Sequence, residues 1–350
     1  MSIYKIILAG VVSFVVSLFV LPHLARIASK IGLIDEPENR KIHRTARPLV
    51  GGIGMMIGVA ISSLLFIPLA YLRGFYAGII LLVIIGFLDD FKEIDHSWKF
   101  LVQIIAVLFM VYLSDTILSS FGDLLSFGSI VFNRSAILLT IFSTLGVINA
   151  INMIDGLDGL AGGVSLVAFL SFSTLTYMDN QKELFLLCIA FSGALLAFLR
   201  YNWHPSKLFM GDAGSITLGF ALTFLAIAMT QKRGSSIPPV VPLLVLAVPI
   251  IDTITVMTRR MLGGRSAFEA DRSHLHHILL DFGLHNRTVV LIIIVLSFIF
   301  SVFGLCGIIY SIPEYYMFAV FMIYFILYFI ASFYIRRILR VRQKYNDETS

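Results

Sequence analysis

Eleven stretches without a single charged residue constrain this chain more than any other feature of its sequence. A helix rises 1.5 Å per residue, so about 20 apolar residues cross the hydrocarbon core of a bilayer. The stretches are residues 6–22, 48–72, 74–88, 100–114, 135–154, 159–178, 184–199, 213–231, 234–251, 288–313 and 315–335. They predict an all-α polytopic membrane protein with about 11 transmembrane helices. The third and fourth have only 15 residues each, so we expect those helices either to tilt little or to continue past the flanking charges.

The composition fits a membrane protein and excludes other classes. Apolar residues make up 58% of the 350 residues and charged residues 13%, and the mean hydropathy is +0.93, which does not describe a soluble surface. Basic residues beside membrane spans set topology and attract anionic lipid, so the net charge of +5 predicts a lipid partner and no nucleic acid. Cys188 and Cys306 each lie in an apolar stretch, which argues against a disulfide or a thiolate metal site. The first stretch lacks a small-residue cleavage pattern and is interpreted as a retained anchor.

Lys and Arg are distributed unevenly between the two sets of loops. The loops after spans 1, 3, 5, 7 and 9, with the C-terminal tail, hold 20 of the 26 basic residues and all eight histidines. The positive-inside rule places this side in the cytoplasm and the N-terminus outside. We therefore predict one transmembrane domain over residues 1–335, a basic cytoplasmic tail over residues 336–350, and an active site on the cytoplasmic face that uses a water-soluble reactant.

The first cytoplasmic loop, residues 35–47, contains Arg40 and His43 and leads into the helix start at Gly51 and Gly52. Glycine lets a backbone approach a phosphate closely, and helix N-terminal amides favour anions. A topology loop followed by small-residue helix packing explains the same residues. Both interpretations stay open from the sequence.

Two further loops concentrate oxygen ligands. Asp89 and Asp90 directly follow an apolar run, and adjacent carboxylates at a membrane surface repel unless a cation, a proton or water intervenes. The connection over residues 149–163 carries no basic residue, and polar side chains recur in it at every third position: Asn149, Asn152, Asp155 and Asp158. Oxygen donors at this density suit a hard cation such as Mg²⁺. A structural turn would explain the glycines of this segment but not its carboxylates and amides at membrane depth.

The last two loops add an aromatic residue, an acid and a group of histidines. Asp212 lies between glycines at the start of a span, and Phe209 precedes it as a flat surface on which a base can stack or as ordinary packing. The long loop after span 9 contains Arg272, His274, His276 and His277. Three histidines in four residues could bind Zn²⁺, but no cysteine or ordered second pair accompanies them. Contacts to phosphate and sugar fit this loop better.

Together these segments resemble the polyprenyl-phosphate N-acetylhexosamine-1-phosphate transferases, the family of MraY, WecA and TagO. The resemblance covers essentially the whole chain, and its specific motifs are residues 149–163, 210–215 and 274–277. The His-Leu-His-His form and the Arg-Lys-x-His sequence at 40–43 look more like the WecA and TagO branch than MraY. This favours UDP-N-acetylglucosamine as the sugar donor.

The resemblance implies Mg²⁺-dependent transfer of a sugar 1-phosphate from a UDP-sugar to undecaprenyl phosphate, with release of UMP, at the bacterial cytoplasmic membrane. It implies Mg²⁺ as cofactor, with Mn²⁺ as the alternative; a homodimer and a monomer both fit the sequence. By similarity, Asn152 and Asp212 are the metal ligands; Asp158 and Phe209 bind uracil; Arg40, His43 and Arg272 contact substrate; and the catalytic group comprises Asp89, Asp90, Lys99, Asp155, His274, His276 and His277.

Asp89 and Asp90 need not act as a general base. A phosphate monoester has a second pKa near 6, so the lipid nucleophile is mostly a dianion at neutral pH. We therefore expect the acid pair to position Lys99 and the lipid phosphate. A secondary transporter and an intramembrane aspartyl protease remain alternatives; a transporter should show repeat symmetry and polar residues at mid-membrane, and a protease would need no Mg²⁺. The Asp-Gly-x-x-Ala-Arg pattern of CDP-alcohol phosphotransferases is absent.

Overall fold

The computed structural model describes residues 3–36, 46–266 and 274–349, and almost all of its regular structure is helical. Its α-helices are α1 (Ile3–Ile31), α2 (Gly51–Phe66), α3 (Arg73–Lys92), α4 (His96–Ser114), α5 (Ala136–Ile154), α6 (Leu160–Met178), α7 (Lys182–Asn202), α8 (Asp212–Gln231), α9 (Val240–Val245), α10 (Ala247–Leu262), α11 (Leu275–Asp281), α12 (Asn286–Ile309) and α13 (Glu314–Thr349). Two short antiparallel strands, β1 (Ile34–Asp35) and β2 (Arg47–Pro48), precede α2. A 3₁₀ turn, Leu69–Leu72, leads into α3.

Within those ranges, nine helical segments are long and apolar enough to cross a membrane. They are α1, α3 with its 3₁₀ turn, α4 to α8, α12 and the Glu314–Ile335 part of α13. The chain is therefore an all-α, multi-pass membrane protein, as predicted. Two predicted spans differ from this group: 48–72 contains the 16-residue helix α2 and ends in a 3₁₀ turn, and 234–251 is divided between α9 and α10.

The two short predicted spans continue past their charges, which confirms one of the two expectations for them. Helix α3 extends to Lys92 and α4 begins at His96, so each has about 20 residues. Asp95 caps α4, because its carboxylate accepts a hydrogen bond from the backbone N–H of Ser97 at 2.8 Å. The acids that seemed to end span 3 therefore belong to its last turn.

Three helices form the buried centre of the bundle. Burial inside the protein reaches 83% in the most apolar window of α8 and 72% in those of α6 and α7, against 17% in α1 and 11% in α13. Glycines allow the first turn of α8 to approach its neighbours closely: a Cβ on Gly52 would lie 2.1 Å from the backbone nitrogen of Gly214, and one on Gly86 2.4 Å from Cα of Ala213. The start of α8 is thus fixed against both α2 and α3.

Candidate active site

Four helix ends meet at one end of the bundle, and they carry the polar side chains that the sequence singled out. Helices α3 and α5 end there, and α4 and α8 begin there. We call their five closely spaced side chains the polar cluster: Asp89, Asp90, Lys99, Asn152 and Asp212. The cluster confirms that two loops distant in sequence, after predicted spans 3 and 7, lie beside the connection after span 5.

Lys99 joins two carboxylates of the polar cluster. Its Nζ forms an ion pair with Asp89 Oδ2 and lies 3.3 Å from Asp212 Oδ2. The other oxygen of Asp89 accepts a hydrogen bond from the backbone N–H of Ile94 at 2.7 Å. Asp89 therefore holds both the lysine and the turn that connects α3 to α4, which fixes the ammonium in place.

Asp90 contacts a different partner from its neighbour. Its Oδ1 accepts the backbone N–H of Asp212 at 2.8 Å, and its Oδ2 accepts that of Ala213 at 3.3 Å. These are N-terminal amides of α8, which have no partner within their own helix. Gly211 adopts a φ of 71°, and a Cβ there would lie 2.4 Å from Asp90 Oδ2. Asp90 thus positions α8 and Asp212, and of the two adjacent acids it is Asp89 that contacts Lys99.

Asn152 and Asp212 lie side by side. The Asn152 amide donates to Asp212 Oδ1 at 3.0 Å and to the Ser215 hydroxyl at 2.8 Å, which leaves the Asn152 carbonyl oxygen as its other polar atom. Among the described residues, no group of three His, Cys, Asp or Glu side chains could hold a metal ion by itself. The carboxylate and amide oxygens of the polar cluster are hard donors of the kind that a divalent cation such as Mg²⁺ prefers.

Two further acids lie in the connection after α5. Burial, reinforced by the carboxylates of Asp212 and Asp158, raises the pKa of Asp155 to about 7. Asp158 is engaged through one oxygen: its Oδ2 lies 2.9 Å from His204 Nδ1 and accepts the backbone N–H of Ser206 at 3.1 Å. The segment before α8 is therefore tied to the segment after α5.

Phe209 lies where the chain enters α8, and its side chain is partly exposed. Its backbone N–H donates to the carbonyl of Pro48, and its carbonyl accepts the N–H of Gly51, both at 2.9 Å. A Cβ on Gly51 would lie 2.3 Å from the ring of Phe198. Helix packing therefore accounts for the glycine pair at 51 and 52. Arg40, His43 and Arg272 lie outside the described residues.

The three histidines pack as a row of rings. The His274 and His276 rings are stacked 5.9 Å apart, and those of His276 and His277 lie 4.2 Å apart. His276 is 2% exposed, and within the described part of the chain neither of its ring nitrogens has a hydrogen-bond partner. Burial and the neighbouring His277 lower its pKa to about 3, so the ring is neutral at pH 7. A Cβ on Gly156 would lie 2.4 Å from His276 Nε2, which places the row directly against the connection after α5.

Sequence reasoning missed three residues that support the site. Asp252 accepts hydrogen bonds from His274 and Tyr328, and His204 holds Asp158. An acid next to an apolar run was a usable signal for Asp252, because intramembrane acids are generally paired and functional. Tyr328 gave no signal, since α13 contains many aromatic residues and nothing in the sequence sets this one apart.

Comparison with known proteins shows the family of the chain. The profile of Glycosyl transferase family 4 matches residues 72–230, the part of the chain that contains the polar cluster. The undecaprenyl-phosphate alpha-N-acetylglucosaminyl 1-phosphate transferase of Pasteurella multocida is 35% identical over 327 residues, 91% of this chain and 90% of its own. The chain belongs to this family.

Other relatives span a similar length. The probable undecaprenyl-phosphate N-acetylglucosaminyl 1-phosphate transferase of Bacillus subtilis is 33% identical over 307 residues, 85% of this chain and 84% of its own. The corresponding transferase of Escherichia coli K12 is 33% identical over 306 residues, 85% and 83% of the two chains. The family match ends before α9, so the histidine row and α13 of this family member lie outside the matched profile.

Proposed function

We propose that this protein transfers N-acetylglucosamine 1-phosphate from UDP-N-acetylglucosamine to undecaprenyl phosphate and releases UMP. The observation that carries the proposal is that Lys99, Asn152 and Asp212 meet at one end of the helix bundle. The relatives named for this transfer match more than four fifths of this chain and of their own length. The reaction would be the first membrane step of cell-envelope polysaccharide synthesis, at the bacterial cytoplasmic membrane.

We assign the acceptor lipid to an apolar cavity whose wall includes sequence neighbours of the polar cluster. A cavity of about 450 Å³ lies among α5, α8, α9 and α10, and its lining is almost entirely apolar. Phe100, next to Lys99, and Asn149, one turn before Asn152, form part of its wall. Part of a prenyl chain in this cavity would bring its phosphate to the ammonium of Lys99, where the charge is neutralised.

Mg²⁺ fits the donor set, with Mn²⁺ as the alternative. We assign Asp212 and the carbonyl oxygen of Asn152 as protein ligands, because Mg²⁺ takes one or two protein oxygens and completes its shell with water and substrate phosphates. When bound, the ion would neutralise diphosphate charge during phosphoryl transfer.

The side chains of the cluster then have separate tasks. Lys99 binds phosphate, and Asp89 fixes Lys99 through its ion pair. Asp90 holds the first amides of α8 and so orients Asp212. No carboxylate needs to remove a proton, because the acceptor phosphate is already mostly a dianion at neutral pH. Alignment and charge neutralisation supply most of the catalysis in phosphoryl transfer.

The nucleotide and sugar lie on the remaining sides. Phe209 stacks on uracil, and the second oxygen of Asp158 accepts the uracil imide N–H. Asp155 and the three histidines face the diphosphate and sugar, together with Arg272. Arg40 and His43 contribute from the first loop. The support for this arrangement is that the histidine row lies against Gly156, the residue that follows Asp155.

The experiment that tests the reaction uses purified protein, undecaprenyl phosphate and Mg²⁺ with a panel of UDP-sugars. We expect UMP release to be fastest with UDP-N-acetylglucosamine, and EDTA to abolish it. Absence of UMP release with every donor would reject the transferase function. Undiminished turnover in EDTA would reject the metal assignment but not the proposed reaction.

We further propose eleven spans with the N-terminus outside. The shorter helix α2 and the broken α9–α10 unit would be the two spans in addition to the nine long helices. Positive charge on one set of loops supports this orientation. In a background without Cys188 and Cys306, the substitutions Ser97→Cys and Lys207→Cys should resist an impermeant thiol reagent in intact cells, and Arg233→Cys should react. Labelling of Lys207→Cys from outside would place the site on the outer face of the membrane and contradict the proposed orientation.

A further inference from the structure

A buried carboxylate connects the histidine row to the last helix. Asp252 in α10 is 3% exposed, and its two oxygens accept three hydrogen bonds. The donors are His274 Nδ1 at 2.9 Å, the backbone N–H of Leu275 at 2.9 Å and the hydroxyl of Tyr328 in α13 at 2.6 Å. A buried carboxylate is tolerated only when its oxygens are satisfied in this way. The hydroxyl of Tyr328 is therefore one of the three groups that fix the Asp252 carboxylate in place.

The bond to Asp252 also fixes the state of His274. A carboxylate oxygen can accept from Nδ1 only when that nitrogen carries a proton, so Asp252 selects the ring orientation and the protonated nitrogen. The His274 ring stacks on His276, and His276 lies against Gly156 in the connection after α5. A continuous set of contacts thus runs from α13 to the loop that carries Asp155.

The position of Tyr328 is unusual for its helix. The most apolar window of α13 is only 11% buried inside the protein, and eight of its large apolar side chains are exposed. The Tyr328 hydroxyl instead points inward to a carboxylate that holds a site residue. Simple packing of α13 would need no hydroxyl there, because the neighbouring Tyr324 packs against Phe300 at a ring distance of 4.7 Å without a hydrogen bond to Asp252.

We propose that Tyr328 is a positioning residue for the transferase: through Asp252 it holds His274, and thereby the histidine row, in the orientation that faces the sugar and diphosphate. This inference rests on the proposed function. It gives α13, which lies beyond the matched family profile, a supporting role in the site, because Asp252 of α10 connects Tyr328 to His274.

The test compares Tyr328→Phe with the matched control Tyr324→Phe, which removes a hydroxyl one turn away on the same helix. With ¹⁵N-labelled histidine in detergent, NMR should show a downfield Nδ1–H signal of His274, assigned by its loss in His274→Gln. The signal should move in Tyr328→Phe and stay in place in Tyr324→Phe. In the UMP-release assay, kcat of Tyr328→Phe should fall roughly tenfold, the usual consequence of losing a hydrogen bond to a charged group, while KM for undecaprenyl phosphate stays unchanged.

Each outcome decides one point. An unmoved His274 signal in Tyr328→Phe, or a moved signal with unchanged kcat, would overturn the positioning role. If Tyr328→Phe does not fold, Asp252→Asn replaces it, and the same signal should move because the carboxylate acceptor is gone. A wild-type protein that is inactive with every UDP-sugar would reject the proposed function, whereas the histidine signal would still report separately whether Tyr328 sets the His274 bond.

Discussion

Helices α8 and α13 are both strongly apolar, but α8 is buried inside the protein and α13 lies at its periphery. Their most apolar windows have mean hydropathies of 1.7 and 2.3, yet 83% of the first and 11% of the second are buried inside the protein. The difference lies in side-chain size: α8 begins with Asp-Ala-Gly-Ser and contains a second glycine, whereas α13 has no glycine and many Tyr and Phe residues. Small residues let backbones approach, and aromatic side chains cover a lipid-facing surface. Hydropathy therefore identifies a span but not its neighbours.

The same comparison explains where chemistry can be held rigidly. Asp212 opens α8, where Asp90 binds its backbone N–H and Asn152 binds its side chain. Each partner comes from a different helix, so the carboxylate is fixed from several directions. Helix α13 supports the site region through the hydroxyl of Tyr328, which donates to Asp252. The central helix supplies site residues and the peripheral helix supplies support.

The largest effect should follow from Asp212→Ala. Loss of this carboxylate removes a metal ligand and leaves diphosphate charge uncompensated, so turnover should fall by about three orders of magnitude or more. UMP release measures the effect, and thermal unfolding checks that the variant folds. Asp123→Asn, in the connection between α4 and α5, is the control and should keep its activity. A tenfold loss or less in Asp212→Ala would show that α8 contributes only structure.

A matched pair of phenylalanines tests the difference in burial directly. Phe220 in α8 is 0% exposed and stacks on Phe75 at a ring distance of 6.1 Å, whereas Phe333 in α13 is 42% exposed. Phe220→Ala should lower the free energy of unfolding by about 3–5 kcal/mol, and Phe333→Ala should change it by no more than about 0.5 kcal/mol. Equal losses in detergent-solubilised protein would mean that α13 packs as α8 does.

Charge-free length predicted most of the spans, because an unpaired charge is expensive in hydrocarbon. The same rule misplaced the end of predicted span 9. That stretch was expected to stop before Asp252, but α10 continues to Leu262 because Asp252 is buried with three hydrogen-bond donors. Helix α9 ends at Val245, among several prolines that interrupt backbone hydrogen bonding. The acid itself was visible in the sequence, but its hydrogen-bond donors come from other parts of the chain and could not be predicted from local composition.

The family resemblance predicted which side chains would gather and that the acid pair would hold Lys99, but it did not predict the separate partners of the two acids. Asp89, Lys99, Asn152 and Asp212 were all expected at one site and do lie together. The different tasks of Asp89 and Asp90 could not be predicted, since adjacent residues of a helix point about 100° apart and only the tertiary packing decides what each meets. The contact between Gly156 and His276 was hidden for the same reason.

A smaller effect is expected for the nucleotide. Phe209→Ala should weaken binding of the UDP-sugar by about 1–3 kcal/mol, the usual contribution of a base–aromatic stack, with little change in lipid affinity. Calorimetric titration of UDP measures this, and Phe209→Trp should restore binding because it keeps a stacking face. Should Phe209 serve only to pack the entrance of α8, both variants would lose thermal stability and the folded fraction would bind UDP normally.

The smallest effect concerns the raised pKa of Asp155, in the connection after α5. Burial and the carboxylates of Asp212 and Asp158 raise the pKa of Asp155 to about 7, above the value of 3.8 expected for the unfolded chain. Between these values the folded protein holds more protons, so its stability falls as pH rises through this window and levels off above pH 7. Asp155→Asn removes the cost and should raise Tm at pH 8, without Mg²⁺, by about 2–4 °C, equivalent to ~1 kcal/mol.

An acid with the opposite shift supplies the control. Asp179 lies between α6 and α7, where burial raises its pKa but hydrogen bonds from Ser236 and Gln181 outweigh burial, so its pKa is lowered overall. Its stabilisation is present above pH 3.8 and is lost as pH falls through the lower folded value. Asp179→Asn should therefore decrease Tm at pH 8, whereas the gain from Asp155→Asn should shrink as pH falls from 7 towards 4. If both variants shift Tm in the same direction at pH 8, folding does not raise the pKa of Asp155.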